Sequence, residues 1–351
     1  MTEAVLVHRA GAMGDVIMTT PVVARLRRRL GPDAIIAIST RFPEVYFDNP
    51  DINQVNKPAP PGGYTRIIDL DDAYEKRPHL HAIDAYMMEA FSDADWPAKD
   101  AVLHRAPLGA LPALPWERAV VIHAGANGAL SRTFPRAFWD EVIDALLLTG
   151  ATPVIVGAGA DLGWPGRGGV VDLVDRLTLH QVAGVIQHSR CFISGDTGLS
   201  HVAGATDTPM VTIYTQVLAT RRMPWRKGAL GLNVTPLAPD LDCVGCLTTP
   251  WTPTACKRGD FACVGERMVK PHRVLQAVLA ITGALGPREA ELERRLAALA
   301  EALPAPVLRT PPKPATLLGR LNERRRAIRK SIKRLLPGKR RRPRPAWEKL
   351  G

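Results

Sequence analysis

Short runs of apolar residues alternate with helix-patterned segments through two successive stretches of this chain. Such runs predict parallel strands covered by helices on both faces, because a strand with one face in water alternates apolar and polar residues instead. The predicted helices are 15–30, 79–91, 135–148, 177–187, 197–205 and 287–303. The predicted strands are Ala4–His8, Ala34–Ile38, Arg66–Leu70, Ala101–His104, Ala119–His123, Thr152–Val156, Cys191–Ser194 and Met210–Tyr214.

A proline-rich segment separates the two series. Residues 106–117 hold three prolines and have no clear period, which indicates a linker in a chain of 351 residues. We predict a domain of residues 1–112, a second domain of residues 113–285, and a helical, basic tail of residues 286–351. The predicted fold class is α/β, with two Rossmann-like doubly wound domains and a ligand cleft between them.

The positive charge of the chain is concentrated near its end. Residues 313–351 carry 15 Lys and Arg against two Glu, whereas the whole chain has a formal net charge of +12. The rest of the chain is therefore close to neutral, unlike a uniformly basic nucleic-acid-binding protein, and no nucleic-acid partner is expected.

The tail also has an amphipathic pattern. Seven apolar residues fall on one helical arc: Leu317, Leu318, Leu321, Ile328, Ile332, Leu335 and Leu336. A basic amphipathic segment is typical of proteins that lie on anionic membranes. A solvated tail, a helix packed on the body, and nucleic-acid binding by the tail alone are the alternatives.

The N-terminus resembles a strand rather than a signal peptide, and no apolar run reaches the roughly 18 residues of a membrane span. We expect a cytoplasmic protein, held at the inner face of the cytoplasmic membrane through residues 316–345. In that compartment the five cysteines should be reduced thiols or metal ligands.

The first chemistry-bearing loop is GAMGDVIMTTP, at a strand-to-helix turn. Gly11 and Gly14 flank Met13 and let a ligand approach the backbone, and Asp15 opens the helix toward the predicted cleft. A glycine turn with Asp15 as its cap explains the same residues without a ligand.

The second loop is SGDTGLSHVAGA, again between a strand and a helix. The amides of Thr197, Gly198 and Leu199 would neutralise a pyrophosphate, with Asp196 before them and His201 in the first helical turn. The alternative is a turn that Asp196 simply caps.

The third loop is HAGANGALSRTFP, which offers Asn127, Ser131 and Arg132. A guanidinium can clamp a phosphate through two parallel hydrogen bonds. Considered alone, Arg132 is equally well explained as a solvated loop residue.

The order and spacing of these loops resemble glycosyltransferase family 9, the heptosyltransferase family of lipopolysaccharide core assembly. The resemblance spans roughly residues 4–282 and is strongest in MGD and DTGLSH. It extends through NPDINQV, SRTFPRAFW, residues 177–209 and the late cysteines.

The resemblance implies a GT-B fold, with the acceptor domain first and the donor domain second. It implies metal-independent, inverting transfer of a sugar, with no cofactor required. The donor is a nucleotide sugar resembling ADP-heptose, and the acceptor is a lipid-linked, lipopolysaccharide-type glycan. It assigns Asp15 as general base and Thr197, Gly198 and Leu199 as pyrophosphate-binding amides. Arg132 stands where the family usually has lysine, and Thr215 where it often has glycine.

Two other functions stay open. The first is a nucleotide-sugar-binding protein without catalysis, and the second is a nicotinamide-dependent dehydrogenase. The glycine loop lacks the spacing G-x-G-x-x-G, and no acidic residue ends the second strand, which argues against the dehydrogenase. Asp69 and Asp71 resemble a metal-binding D-x-D but are better explained as a short acidic loop.

Four late cysteines have the spacing C-x2-C-x9-C-x6-C. Free thiols are the expected state, and a structural zinc ion, which four thiolates would suit, is the alternative. The residues in question are Cys243, Cys246, Cys256 and Cys263.

Overall fold

The computed structural model describes residues 3–93, 96, 98–125, 128–247 and 256–283. The predicted helix 287–303 and the predicted membrane-binding tail lie outside these residues, as does Asn127. Within the described ranges, no helix is long and apolar enough to cross a membrane.

The first sheet has four parallel strands in the order β3-β2-β1-β4. Its strands are β1 (Ala4–His8), β2 (Ile35–Ser39), β3 (Gln54–Val55) and β4 (Arg66–Asp69). The helices of this half are α1 (Met13–Met18), α2 (Thr20–Leu30) and α3 (Ala82–Ala90).

The second sheet has six parallel strands in the order β12-β9-β8-β5-β6-β7. They are β5 (Ala119–His123), β6 (Thr152–Ile155), β7 (Val171–Asp172), β8 (Cys191–Gly195), β9 (Met210–Ile213) and β12 (Val234–Leu237). The helices are α4 (Arg136–Leu148), α5 (Leu179–His188), α6 (Gly198–Gly204), α7 (Ala219–Arg222) and α8 (Pro271–Thr282). Strands β10 (Trp225–Arg226) and β11 (Ala229–Leu230) form a separate antiparallel pair.

Two predicted elements differ from the structure in more than the position of their ends. The helix predicted over 15–30 is divided at Thr19, because Pro21 has no N–H to donate to the preceding turn. The hydroxyls of Thr19 and Thr20 donate instead to the carbonyls of Val16 and Ile17, at 2.7 and 2.8 Å.

The strand predicted over 101–104 is absent from the first sheet. Val102 donates its backbone N–H to the hydroxyl of Thr20 rather than to a neighbouring strand, and its side chain is 47% exposed. This segment therefore covers α2 without extending the sheet.

One buried core joins the two halves. It runs from Val5 and Ile17 around the first sheet to Val182, Leu199 and Val202 on the helices of the second half. A second core lies on the other face of the second sheet, where Trp139 and Phe138 of α4 pack with Val274 and Leu275 of α8. The shared core fixes how the loops at the strand ends meet.

Candidate functional site

A cleft of about 590 Å³ lies where loops of the two halves face each other. Parallel strands bring their carboxyl ends to one edge of a sheet, so the loops after several strands converge there. The first half contributes Met13, Gly14, Asp15, Tyr74 and Glu75, and the second half contributes Arg132, Asp196, Thr197, Gly198, Leu199, His201 and Arg222.

Asp15 is held at the start of α1 by four hydrogen-bond donors. Its Oδ2 accepts hydrogen bonds from Arg9 at 2.9 Å and from the backbone of Ala12 at 3.1 Å, with the Tyr74 hydroxyl at 3.4 Å. Its Oδ1 accepts from Arg222 of the opposite half at 3.2 Å. The carboxylate is fixed in the cleft by this network.

The electrostatic environment keeps Asp15 ionised. Burial raises the pKa of its carboxyl, but the charges of Arg222 and Arg9 and the Arg9 hydrogen bond outweigh burial, and the pKa is lowered. At neutral pH the group is a carboxylate, the state that can accept a proton. Its basicity is also weakened by the same two guanidinium groups.

The loop between β8 and α6 is held by side chains that also line the cleft. Arg132 donates to the backbone carbonyl of Asp196 at 2.8 Å and lies 3.7 Å from its carboxylate. The hydroxyl of Thr197 lies 2.9 Å from Nδ1 of His123, whose Nε2 lies 3.1 Å from Asp161. The loop and the arginine beside it therefore form one preorganised, cation-bearing wall of the cleft.

His201 is a buried member of the same wall. Burial lowers the pKa of its imidazole, and the Asp196 carboxylate opposes this only in part. The ring is therefore neutral at physiological pH. It packs against Gly14, where an added Cβ would meet the His201 ring at 2.5 Å and the Gly198 Cα at 3.3 Å. Glycine at position 14 thus permits the close approach of α1 and α6 at the base of the cleft.

The four late cysteines come together beside this wall. Cys243, Cys246, Cys256 and Cys263 line one small cavity together with Ser131 and Thr215. The Sγ of Cys263 lies 3.9 Å from the carbonyl of Ser131, the residue before Arg132. Burial, together with the charges of the neighbouring cysteines, raises the pKa of Cys263 to about 11. Cysteine thiols are a ligand type that thiophilic metal ions prefer, but no three of these four sulfur atoms lie within 4.8 Å of one another.

Another group of ligand-type side chains lies at the edge of the first sheet. His8, Asp69 and Asp71 each offer one ligand atom, and these three atoms lie within 4.8 Å of one another. Among the described residues, this is the group of His, Cys, Asp or Glu side chains that meets that distance. The backbone amides of Asp71 and Ala10 donate to Asp69 and Asp71, and Arg9 lies 3.5 Å from Asp71. These contacts fit the short acidic loop expected from the sequence.

The structure gathers most of the residues singled out in the sequence. Asp15, Met13 and Gly14 line the cleft, together with Arg132 and the residues from Asp196 to Leu199 and His201. Gly11 lies beside Phe42 and Arg41, and Ser131 turns its buried hydroxyl to Gln216. Neither is among the residues that line the cleft.

Sequence reasoning did not identify Arg9, Tyr74, Glu75 and Arg222 as members of the site. Arg9 follows β1 directly, so its place after a strand was a usable signal. Arg222 lies 207 residues from Asp15, and nothing in the local sequence distinguishes it from the adjacent Arg221.

Comparison with known proteins is consistent with this geometry. Residues 74–242 match the model of glycosyltransferase family 9 (heptosyltransferase). Over 165 residues, the chain is 28% identical to lipopolysaccharide heptosyltransferase 1 of Pseudomonas aeruginosa. That match covers 43% of this chain and 45% of the relative, so it spans about half of the relative's length.

Solved structures share the fold at low sequence identity. E. coli ADP-heptose lipopolysaccharide heptosyltransferase II superposes with a TM-score of 0.56 and 15% identity, covering 80% of this chain and 98% of that one. The iron-containing dodecameric glycosyltransferase TibC of enterotoxigenic E. coli H10407 gives 0.60 and 16%, covering 80% and 79%. The predicted α/β class with two parallel sheets of the GT-B type is confirmed. Residues 74–242 therefore match the model of glycosyltransferase family 9 within a fold shared with heptosyltransferases, as the sequence resemblance implied.

Proposed function

We propose that this protein transfers a sugar from a nucleotide diphosphate donor to a hydroxyl of a cell-envelope acceptor, with inversion at the anomeric carbon. One observation carries the proposal: an ionised carboxylate, Asp15, lines the same cleft as Arg132 and the loop Asp196–Leu199. A base on one side and anion-binding groups on the other are what such a displacement requires.

In the proposed step, the acceptor oxygen forms a bond to the anomeric carbon while the bond from that carbon to the diphosphate oxygen breaks. The acceptor's proton passes to the Asp15 carboxylate. Negative charge grows on the departing diphosphate, where Arg132 and the amides of Thr197, Gly198 and Leu199 would stabilise it without a metal ion. Attack from the face opposite the leaving group gives inversion.

The donor and acceptor are proposed from the relatives. A TibC structure contains ADP-D-beta-D-heptose, and the curated relative is named for lipopolysaccharide. We therefore propose ADP-heptose as donor and a lipid-linked, lipopolysaccharide-type glycan as acceptor. Residues 1–112 would bind the acceptor and residues 113–285 the donor, since Asp15 follows β1 of the first sheet and Arg132 follows β5 of the second.

We also propose that the protein works at the cytoplasmic face of the inner membrane. The support is the sequence of residues 316–345, where basic residues accompany an apolar arc. A lipid-linked acceptor would lie in that membrane, and each basic residue near an anionic surface contributes about 1 kcal/mol.

The four late cysteines are proposed to hold a structural iron or zinc ion. The support is the common cavity that they line, together with the closeness of Cys263 to Ser131. Such an ion would fix the loop that presents Arg132 and would take no part in the transfer.

The test begins with a thermal-shift panel of nucleotide sugars, followed by turnover of the donor that binds. The wild type should release nucleoside diphosphate in the presence of a truncated lipopolysaccharide acceptor. Asp15→Asn should lower this turnover about a hundredfold or more while the donor still binds, because the amide cannot accept the proton.

Other outcomes would select the competing functions. Donor binding without turnover in the wild type would indicate a nucleotide-sugar-binding protein. A nicotinamide fluorescence change on binding, with no response to nucleotide sugars, would indicate a dehydrogenase. Near-normal turnover in Asp15→Asn would show that Asp15 only caps the turn.

A further inference from the structure

Arg222 reaches across the cleft from α7 to the carboxylate on α1. Its Nη1 lies 3.2 Å from Oδ1 of Asp15, and its guanidinium carbon lies 4.1 Å from the centroid of the Tyr74 ring. The side chain is only 11% exposed. A buried guanidinium held by one charged hydrogen bond and one aromatic face is a specific arrangement, unlike a solvated surface arginine.

The hydrogen bond from Arg222 interferes with the role of general base that is proposed for Asp15. Its Oδ2 already accepts from Arg9, Ala12 and Tyr74, so a new hydroxyl has no free direction there. Among the described residues, Arg222 is the hydrogen-bond donor to Oδ1. An acceptor hydroxyl can therefore reach Asp15 most directly at the oxygen that Arg222 covers.

Arg222 also interacts electrostatically with the anion-binding wall. It lines the same cleft as Arg132, Asp196 and Thr197. The pKa of His201, which burial lowers, is lowered further by the charges of Arg222 and Arg132. A diphosphate bound against this wall would offer Arg222 more negative charge than a single carboxylate does, in the two-oxygen geometry that a guanidinium prefers.

We propose that Arg222 exchanges between Asp15 and the donor diphosphate, so that donor binding uncovers the base. The inference rests on the proposed function, because it assumes a diphosphate donor. Paired with Asp15, Arg222 blocks Oδ1 and weakens its basicity. Paired with the diphosphate, Arg222 leaves Oδ1 free and places a positive charge beside the leaving group. Arg222 is thus a positioning residue that makes the donor bind before the acceptor loses its proton.

The proposed exchange predicts that the Asp15 carboxylate weakens donor binding. If Arg222 must leave Asp15 to hold the diphosphate, Asp15→Asn should tighten binding of ADP, because the competing charge is gone. Tightening on the order of tenfold is expected from the strength of close charge pairs. Inorganic pyrophosphate should also bind more tightly to Asp15→Asn, since the effect does not involve the nucleoside part of ADP.

A double-mutant cycle measured by calorimetry tests this coupling. In an Arg222→Gln background, Asp15→Asn should no longer tighten ADP or pyrophosphate binding. In a matched Arg221→Gln background, the tightening should persist, because Arg221 loses the same charge nearby but makes no hydrogen bond to Asp15. If Arg222→Gln fails to fold, Arg222→Lys takes its place, and the tightening should shrink because lysine cannot bind in the same forked geometry.

The outcomes separate the inference from the function. If the wild type binds ADP and Asp15→Asn binds it equally or more weakly, the exchange is refuted while the transfer reaction stands. Persistence of the full tightening in the Arg222→Gln background refutes it as well. If the wild type binds neither ADP nor pyrophosphate, the proposed function fails and the exchange fails with it.

Discussion

At the scale of single residues, the position of Arg132 depends on Asp196. The guanidinium donates to the carbonyl of Asp196 and keeps its Nε buried without a protein partner in the described structure. A buried N–H without a partner is unfavourable, and a phosphate oxygen would satisfy it. Arginine supplies a fixed positive charge and a planar fork of N–H donors that matches two phosphate oxygens.

Arg132→Ala should therefore weaken the binding of a nucleoside diphosphate by on the order of tenfold, while binding of the nucleoside alone changes little. The lost contact is to the phosphates only. Isothermal titration with ADP and adenosine measures the difference, and Arg136→Ala, an exposed arginine in the next helix, serves as the control. Equal losses for both ligands would remove Arg132 from the phosphate site.

At the scale of secondary-structure elements, His81 joins α3 to the second half of the molecule. Its Nδ1 accepts from the N–H of Ile83 and caps the helix, while its Nε2 lies 2.9 Å from the carbonyl of Met223. Burial lowers the pKa of His81 from 6.5 to about 4, and the bond to Met223 opposes this only partly. The neutral ring is therefore the form that the fold requires.

The consequence is a loss of stability in acid. The folded state binds this proton less readily than the unfolded chain, so the contribution of His81 is full above pH 6.5 and is lost as the pH falls toward about 4. The loss should reach about 3 kcal/mol. Denaturant unfolding between pH 7 and pH 4 should show a smaller decline for His81→Asn, which keeps a capping side chain but does not titrate. The exposed His79→Asn is the control, and an unchanged decline in His81→Asn would contradict the assignment.

The cysteine segment is the second element with a testable role. Protein purified without chelator should contain one iron or zinc ion per chain, because four thiols line one cavity. Replacing Cys243 and Cys246 by Ser should abolish the metal and lower the melting temperature, whereas Cys191→Ala, in the core of β8, should keep the metal. Elemental analysis provides the measurement. A metal-free preparation that is folded and active would show that the cysteines are free thiols.

At the scale of the whole molecule, charge is divided between a near-neutral body and a basic terminal segment. The full chain should sediment with vesicles that contain anionic lipid, dissociate partly at high salt, and ignore neutral vesicles. A form ending at Ala315 should stay in solution and still transfer sugar to a soluble acceptor fragment. Equal sedimentation of the two forms would show that residues 316–345 are not the membrane anchor.

Local patterns were sufficient for the architecture and for half of the site. Apolar runs of strand length predicted eight strands, of which seven are present, five of them with shifts at their ends, because burial on both faces leaves a direct trace in composition. Loops after parallel strands converge, so Asp15, Arg132 and the Thr197 loop could be placed in one cleft without coordinates. The missing strand, 101–104, has the same apolar character but lies against α2, and periodicity does not distinguish the two placements.

The sequence by itself therefore determined the two-sheet fold, the resemblance to family 9 and the residues that line the cleft from strand ends. Only the tertiary structure decided their partners. Arg222 and Asp15 are 207 residues apart, and Tyr74 and Asp15 are 59 apart. An arginine in a sequence looks the same whether it is solvated or paired, because its partner depends on how the halves pack and not on neighbouring residues. The same holds for Ser131, which turns toward Gln216, since the direction of a loop side chain is set by the space that surrounding segments leave.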